Sequence, residues 1–251
     1  AGENVFVSLF AEVGGSKNQK LKPEIQLLYK KGDGFRQNNG FEQLNSTIKL
    51  SFLHSLNKNV YLKSNINYEN SNATYTGLTN WSFENDPKFN PKENDNFKIF
   101  RASLDLIQSE RLSSVLSKNT TVYTSYFDRR WWRENDIFIL ASDIGQDNPS
   151  SAPYYSPFDL VRTGNGLDSF GILRTFYVAG YEQSYSLKHR LYGYNATLEI
   201  GGRMYWERFI DDKKQGDAPD SRDGIYFIPA LSEDEAPTVV GQSHHYETCL
   251  L

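Results

Sequence analysis

Three arginines and two tryptophans form the group of neighbouring side chains most suited to chemistry in this sequence. They lie in the segment DRRWWREND, Asp128–Asp136. Each guanidinium group presents a planar fork of N–H donors that fits a carboxylate. Tryptophans at the end of a strand, beside arginines whose charged heads reach toward water, are also typical of an interfacial aromatic belt. The choice between these interpretations depends on the elements that position the cluster.

Motifs for catalysis or nucleotide binding are missing from the sequence. It contains no Gly-x-Ser-x-Gly, His-Glu-x-x-His, P-loop or dinucleotide-binding pattern. His54 and His189 lie beside short turns, and no nucleophile constellation surrounds them. His244 and His245 are adjacent, so on a strand they would point in different directions and could not share a metal ion. We therefore expect no enzyme activity, no cofactor and no metal site.

The composition is polar and yet rich in aromatic residues. Apolar residues make up 38% of the 251 residues, the mean hydropathy is −0.60, and aromatic residues reach 14%. A soluble all-β protein could have this composition, and so could a membrane β-barrel with apolar residues only on its lipid side and aromatic girdles at its rims. The net charge is −4 without a basic stripe, so nucleic acid is not an expected partner. The single cysteine, Cys249, excludes an internal disulfide.

Apolar and polar residues alternate along most of the chain. In Ser46–Leu53, for example, Ile48, Leu50 and Phe52 fall on one side and polar residues fall on the other. Such alternation places one face of a strand in an apolar medium and the other in water. The sequence predicts strands at Asn4–Val13, Glu24–Lys31, Ser46–Leu53, Val60–Glu69, Lys98–Gln108, Lys118–Asp128, Leu173–Ser186, Asn195–Ile210 and Asp223–Pro229. No helical period of useful length is present, so the predicted fold class is all-β.

The connections between these strands alternate between short and long. Short ones are Gly14–Gln19, Ser55–Asn59, Ser109–Ser114 and Lys188–Gly193; long ones are Asn70–Asn96, Arg129–Ile172 and Asp211–Gly224, with Gly32–Gly40 intermediate. Short turns at one end and long loops at the other are typical of outer-membrane barrels, and the strands are long enough for a tilted crossing. We predict an antiparallel up-and-down transmembrane β-barrel segment of about nine or ten strands. A soluble β-sandwich and a lipocalin-like barrel are the alternatives.

Four segments carry a family resemblance: Tyr29–Phe52, Tyr75–Phe97, Arg174–Leu187 and Leu198–Gly224. The first contains a GDGFR turn between two strands, and the second is similar to a family loop of the form AGLT…F…DP…N…ND. Together they resemble TonB-dependent outer-membrane receptors, in particular those of the ferric citrate (iron(III) dicitrate) transporter type. Such receptors close a barrel of about 22 strands around a plug. The resemblance therefore implies that residues 1–251 are a partial barrel domain of a larger barrel, with the plug domain and the TonB box absent.

The function implied by this resemblance is uptake of a ferric chelate, either a siderophore or iron citrate. The chain would supply barrel wall and extracellular loops in the outer membrane of a Gram-negative bacterium. The implied partners are the ferric chelate, the TonB complex acting through the missing plug region, and outer-membrane lipid. The alternative functions are a soluble or surface β-sheet binding module and a smaller diffusion porin.

The resemblance also implies a ligand site, because the chelate of such a receptor is commonly anionic and arginine suits its carboxylates. The implied ligand-binding residues are Arg129, Arg130, Trp131, Trp132, Arg133 and Arg222. For Arg203, Arg208 and Arg222 a salt bridge in the lumen or at the rim is the alternative role. Asp211 and Asp212 are expected on a solvated loop.

Overall fold

The computed structural model describes residues 5–17, 20–37, 39–72, 77, 83–84, 86–88, 90, 95–134, 138–140, 160–162, 169–216 and 242–250. Its strands are β1 (Val7–Gly14), β2 (Leu21–Gly32), β3 (Phe41–Ser55), β4 (Lys58–Ser71), β5 (Asn96–Arg111), β6 (Leu116–Glu134), β7 (Phe138–Leu140), β8 (Leu160–Arg162), β9 (Ser169–Leu191), β10 (Tyr194–Gly216) and β11 (Gln242–Leu250). One nine-stranded sheet has the order β1-β2-β3-β4-β5-β6-β9-β10-β11, and β7 pairs with β8 apart from it. Every pairing is antiparallel.

The large sheet is an up-and-down meander, since each strand pairs with the next strand of that sheet along the chain. The predicted all-β, antiparallel, up-and-down architecture is thus confirmed. Each strand predicted between Asn4 and Ile210 coincides with an observed strand, and most of the observed strands are longer. The longest, β9 and β10, have 23 residues each, whereas a tilted membrane strand needs about 9–11. The predicted strand Asp223–Pro229 lies outside the described residues.

Three strands are absent from the sequence-based prediction, and two predicted loops begin too early, since β6 continues to Glu134 and β10 continues to Gly216. The hairpin β7–β8 has only three residues in each strand, too few for an alternating pattern to be detected. The sequence-based prediction contains no strand at Gln242–Leu250, where β11 pairs with β10. Asp211 and Asp212 do not lie on a loop, because β10 continues through them to Gly216. Pairing with β9 over this stretch supplies the backbone hydrogen bonds that hold these polar residues in a strand.

The strand register divides the sheet into two faces, because directly opposed residues of an antiparallel pair share a face. One row across the sheet is Pro23, Leu50, Leu62, Leu106, Val122, Tyr181 and Met204. The adjacent row on the opposite side is Glu24, Lys49, Lys63, Asp105, Tyr123, Gly180 and Tyr205. We call the side of the first row the apolar face and the side of the second row the polar face.

Side chains of the polar face are joined by hydrogen bonds across the strands. The Asn65 amide donates to Oδ1 of Asn45 at 3.2 Å and to Oγ1 of Thr47 at 2.8 Å. Lys49 Nζ lies 2.6 Å from Oε1 of Glu24, so a charged pair also links β3 to β2. Amides, hydroxyls and charged groups that hydrogen-bond to one another in this way are typical of a face that is in contact with water.

The apolar face carries large side chains that no other layer of the described residues covers. Exposed residues on it include Leu27, Ile48, Phe52, Ile66, Phe100, Leu104, Val122, Tyr177, Leu198, Ile200 and Met204. Ile200, for example, has 64% of its surface exposed. Among the described residues Trp132 is the one large apolar side chain that is buried, at 3% exposure. Exposure of so wide an apolar surface to water is unfavourable, so this face requires an apolar medium or a covering partner.

No helix in the described part of the chain is both long and apolar enough to cross a membrane.

Candidate ligand site at the long-loop end of the polar face

The arginine and tryptophan cluster lies at the end of β6 that leads into the long loops. Because successive side chains of a strand point to opposite faces, the five side chains are divided between the two faces. Arg129 stands opposite Ile99 and Trp131 opposite Phe97, in the register of the polar face. Arg130 and Trp132 therefore belong to the apolar face. The structure brings together Arg129, Trp131 and Arg133 and places Arg130 and Trp132 on the other side of the sheet. Arg222 lies outside the described residues.

A charged row on the polar face contains Arg129 of β6, Arg174 of β9 and Asp211 of β10. Arg129 is directly opposite Arg174, and Arg174 is directly opposite Asp211. The Nε of Arg174 donates to Oδ1 of Asp211 at 2.8 Å. These three residues supply two cations and one carboxylate, and Arg174 engages that carboxylate. Glu69 of β4 lies in the same row, separated from Arg129 by Ile99 of β5.

Arg129 is the cation of this row that lies farther from the carboxylate. Within the described residues, no group accepts a hydrogen bond from its buried Nε. Arg129 is half-buried, and the like charge of Arg174 stands directly opposite it. An anion bound beside Arg129 would relieve both unfavourable effects, since it would supply a charge partner and an acceptor.

Aromatic rings lie on the polar face between this charged row and the long loops. Phe97 and Trp131 pack edge to face with their centroids 6.3 Å apart and their planes at 87°. The guanidinium carbon of Arg133 lies 5.4 Å from the centroid of Trp131, within the range of a cation–π interaction. The two rings and Arg133 thus form an aromatic and cationic border above Arg129.

A second aromatic group lies one polar-face row below the charged row. Phe127, Phe176 and Phe209 are opposed across β6, β9 and β10. Phe176 and Phe209 are stacked with centroids 4.6 Å apart, and Phe127 lies 5.9 Å from Phe176. The guanidinium carbon of Arg174 is 5.9 Å from the Phe209 ring. The cations are therefore enclosed by aromatic rings above and below, which favours a ligand with both charged and apolar parts.

Sequence reasoning did not identify Arg174, Asp211 or the three phenylalanines as site residues. Arg174 and Asp211 are far from Arg129 in the chain, and only the strand register places them in one row. The sequence does contain one signal for Arg174. In the alternating pattern of its strand, Arg174 falls on the same face as the polar residues. The salt-bridge role given as the alternative for Arg203 is supported, because its Nε lies 3.2 Å from Oε1 of Glu182.

Of the comparisons with known proteins, the one with solved structures finds folds similar to that of this chain. No model of a protein family matches it, and no curated protein sequence matches it. Among solved structures, the ferric citrate transporter FecA in the unliganded form matches 85% of this chain with a TM-score of 0.67 and 13% sequence identity. The ferric-catecholate import receptor Fiu from E. coli K12, in its open form, matches 98% of this chain with a TM-score of 0.49 and 8% identity. The chain covers 28% of the FecA chain and 49% of the Fiu chain. At this level of identity the likeness to FecA concerns the fold, and the sheet described above is a segment of a β-barrel of that architecture.

Proposed function

We propose that this chain is part of the barrel wall of an outer-membrane receptor that takes up a ferric chelate. The observation that carries the proposal is the likeness of its fold to the ferric citrate transporter over 85% of the chain. The sequence segments that resemble TonB-dependent receptors support the same function independently of the structure. In this proposal the protein is a transport receptor and has no enzyme activity.

The two faces of the sheet support the proposed location. A wide exposed apolar face opposite a hydrogen-bonded polar face suits a barrel wall between lipid and an aqueous lumen. A soluble or surface binding module would need another layer over the apolar face. We therefore favour the outer membrane of a Gram-negative bacterium. Coupling to the TonB complex would require a plug, as the sequence resemblance implies.

The polar-face cluster is the proposed ligand contact. Arg129 and Arg174 would bind carboxylate or other oxygen donors of an anionic chelate through charge-assisted hydrogen bonds. Trp131 and Arg133 would border the ligand on the side of the long loops. Ferric citrate is the specific ligand that the resemblance implies, and the aromatic rings around the cations also suit a siderophore with apolar parts.

The proposal is tested by measuring ferric citrate binding to the protein in lipid bilayers. The double variant Arg129→Gln/Arg174→Gln removes both cations of the charged row. We expect its affinity to fall about 10- to 100-fold, because a hydrogen bond to a charged group contributes about 1.5–3 kcal/mol. Intrinsic tryptophan fluorescence reports binding, since Trp131 lies beside the site.

The matched control is Lys63→Gln, which removes a cation from the same face near the middle of β4. It should leave affinity unchanged. Iron-limited growth of cells that carry the whole gene then tests transport with ferric citrate and with catecholate siderophores as separate iron sources. Wild-type growth on every ferric chelate after deletion of the gene, together with an absence of binding, would overturn the proposed function.

A further inference from the structure

Arg101 of β5 is a cation of the polar face that the proposed ligand contact does not use. It stands directly opposite Asn67 of β4 and Phe127 of β6, in the row below the charged row. Its side chain is exposed, and its guanidinium group has no ion pair and no hydrogen bond in the described part of the chain. Arg101 therefore has donors available for a molecule that lies over the polar face.

The carboxylates nearest to Arg101 do not pair with it. Glu69 is its diagonal neighbour on β4, but the two oxygens of Glu69 accept hydrogen bonds from Ser71 at 2.9 Å and from Gln43 at 2.9 Å. Gln43 lies on β3, so its hydrogen bond holds the carboxylate away from β5. Asp105 is on the same face of β5 but two rows lower, about 13 Å along the strand. The charge of Arg101 is thus left for a ligand.

Arg129 is the diagonal neighbour of Arg101 on β6, because Arg129 is opposite Ile99 and Arg101 is opposite Phe127. Diagonal neighbours have Cβ atoms about 7 Å apart, within the joint reach of two long side chains. The buried Nε of Arg129 has no acceptor among the described residues. Two guanidinium groups with available donors therefore face the same space, and an anion between them would relieve their repulsion.

Asn67 and Phe127 complete the surroundings of Arg101 on either side. The Asn67 side chain is half-buried and has no hydrogen-bond partner within the described residues, so its amide can donate to an oxygen held by Arg101. The ring of Phe127 packs on Phe176 with centroids 5.9 Å apart and supplies an apolar wall on the other side. A charge-assisted hydrogen bond is stronger beside such a wall, because the local dielectric constant is lower there.

We propose that Arg101 and Asn67 form a second anion-binding position, one row below Arg129 and Arg174, and that the ligand carries at least two anionic groups that occupy both positions. Successive rows on one face of a strand are about 7 Å apart. A polycarboxylate chelate can span this distance, whereas a monocarboxylate cannot. The inference rests on the proposed function, whose ligand contact it extends, and it restricts the ligand to polyanionic chelates.

The experiment measures binding of ferric citrate to the full chain in lipid bilayers by intrinsic tryptophan fluorescence. Arg101→Gln should weaken binding about tenfold, because it removes one charged hydrogen-bond donor and leaves Arg129 and Arg174 in place. Arg101→Lys keeps the charge and should recover part of this loss. Free citrate should displace the ferric chelate at least about tenfold more effectively than acetate at an equal carboxylate concentration, because one citrate can occupy both positions.

The matched control is Arg111→Gln, which removes the same side chain from the same face of the same strand, nearer the short turns. It should bind ferric citrate like the wild-type chain. Heat-modifiable migration on gels reports whether each variant is inserted in the bilayer.

Wild-type affinity in Arg101→Gln, together with weak binding by Arg129→Gln/Arg174→Gln, would overturn this inference and leave the proposed function standing. An equal loss in Arg111→Gln, or equal displacement by citrate and acetate, would also overturn it. If ferric citrate binds equally to the wild-type chain and to every variant, the ligand contact of the proposed function fails as well. Absence of binding to the wild-type chain would overturn this inference together with ferric citrate as the ligand.

Discussion

The contact between Tyr123 and Gly180 on the polar face depends on the absence of a side chain at glycine. The two residues are opposed across β6 and β9, and the tyrosine ring lies over the glycine. This position lets the Tyr123 hydroxyl accept two hydrogen bonds from Arg203, at 3.1 Å from Nε and 2.7 Å from Nη2. Arg203 is also 5.1 Å from the centroid of Tyr205. The glycine is therefore required for the close approach of the ring and not for an unusual backbone angle.

Replacing Gly180 by alanine tests this interpretation. A Cβ at this position would come within 2.2 Å of Cζ of Tyr123, so the ring must turn away and release Arg203. We expect the free energy of unfolding to fall by about 1 kcal/mol, the usual net contribution of a hydrogen bond. This change in free energy is measured by urea unfolding from lipid vesicles, monitored by tryptophan fluorescence.

The control for that variant is Gly202→Ala on the adjacent strand, where an added Cβ meets nothing within 4 Å. It should leave the unfolding free energy within about 0.5 kcal/mol of the wild type. If the two alanine variants are equally stable, the Tyr123–Arg203 contact does not contribute to stability.

At the scale of the strands, alternation predicted most of the fold but not the site. The period of two located the strands from β1 to β6 and β9 to β10, because each has one apolar and one polar side. It could not group Arg129 with Arg174, since the pairing of β6 with β9 bypasses the β7–β8 hairpin and depends on register. The same alternation, applied within DRRWWREND, separates Arg130 and Trp132 from Arg129 and Trp131. Sequence adjacency was therefore a poor guide to which side chains meet.

The short connection from β9 to β10 provides a test at the scale of an element. Tyr192 and Gly193 form a two-residue turn with φ values of 50° and 86°. Both angles lie in the left-handed region, as a type I′ hairpin requires. Gly193→Ala should lower the free energy of unfolding by about 1 kcal/mol, and Tyr192→Asn should raise it by a few tenths of a kcal/mol, since asparagine tolerates this region better. Vesicle unfolding in urea measures both changes.

Leu56→Ala is the comparison for these turn variants. Leu56 lies in the β3–β4 turn with 96% of its surface exposed, so its truncation should change stability little. An alanine at position 193 that is as stable as Leu56→Ala would show that the β9–β10 turn does not limit stability.

The whole sheet has an apolar face and a polar face, and the proposal that these faces meet different media is testable with neighbouring residues. Ser103 and Leu104 are adjacent on β5, and the register places Ser103 on the polar face and Leu104 on the apolar face. Cys249 is first replaced by serine, because it is the single native cysteine. In bilayers, a water-soluble maleimide should label Ser103→Cys at least about tenfold faster than Leu104→Cys, since the thiolate that reacts forms in water and not in lipid.

Denatured samples in urea provide the control, because both cysteines should then react at the same rate. Moving the pair by two residues, to Asp105→Cys and Leu106→Cys, should reproduce the contrast, as the period of two requires. Equal labelling of each pair in bilayers would contradict a barrel wall, because it would mean that water reaches both faces. A soluble two-sided sheet would then explain the alternation better, and the exposed apolar residues would have to face a protein partner.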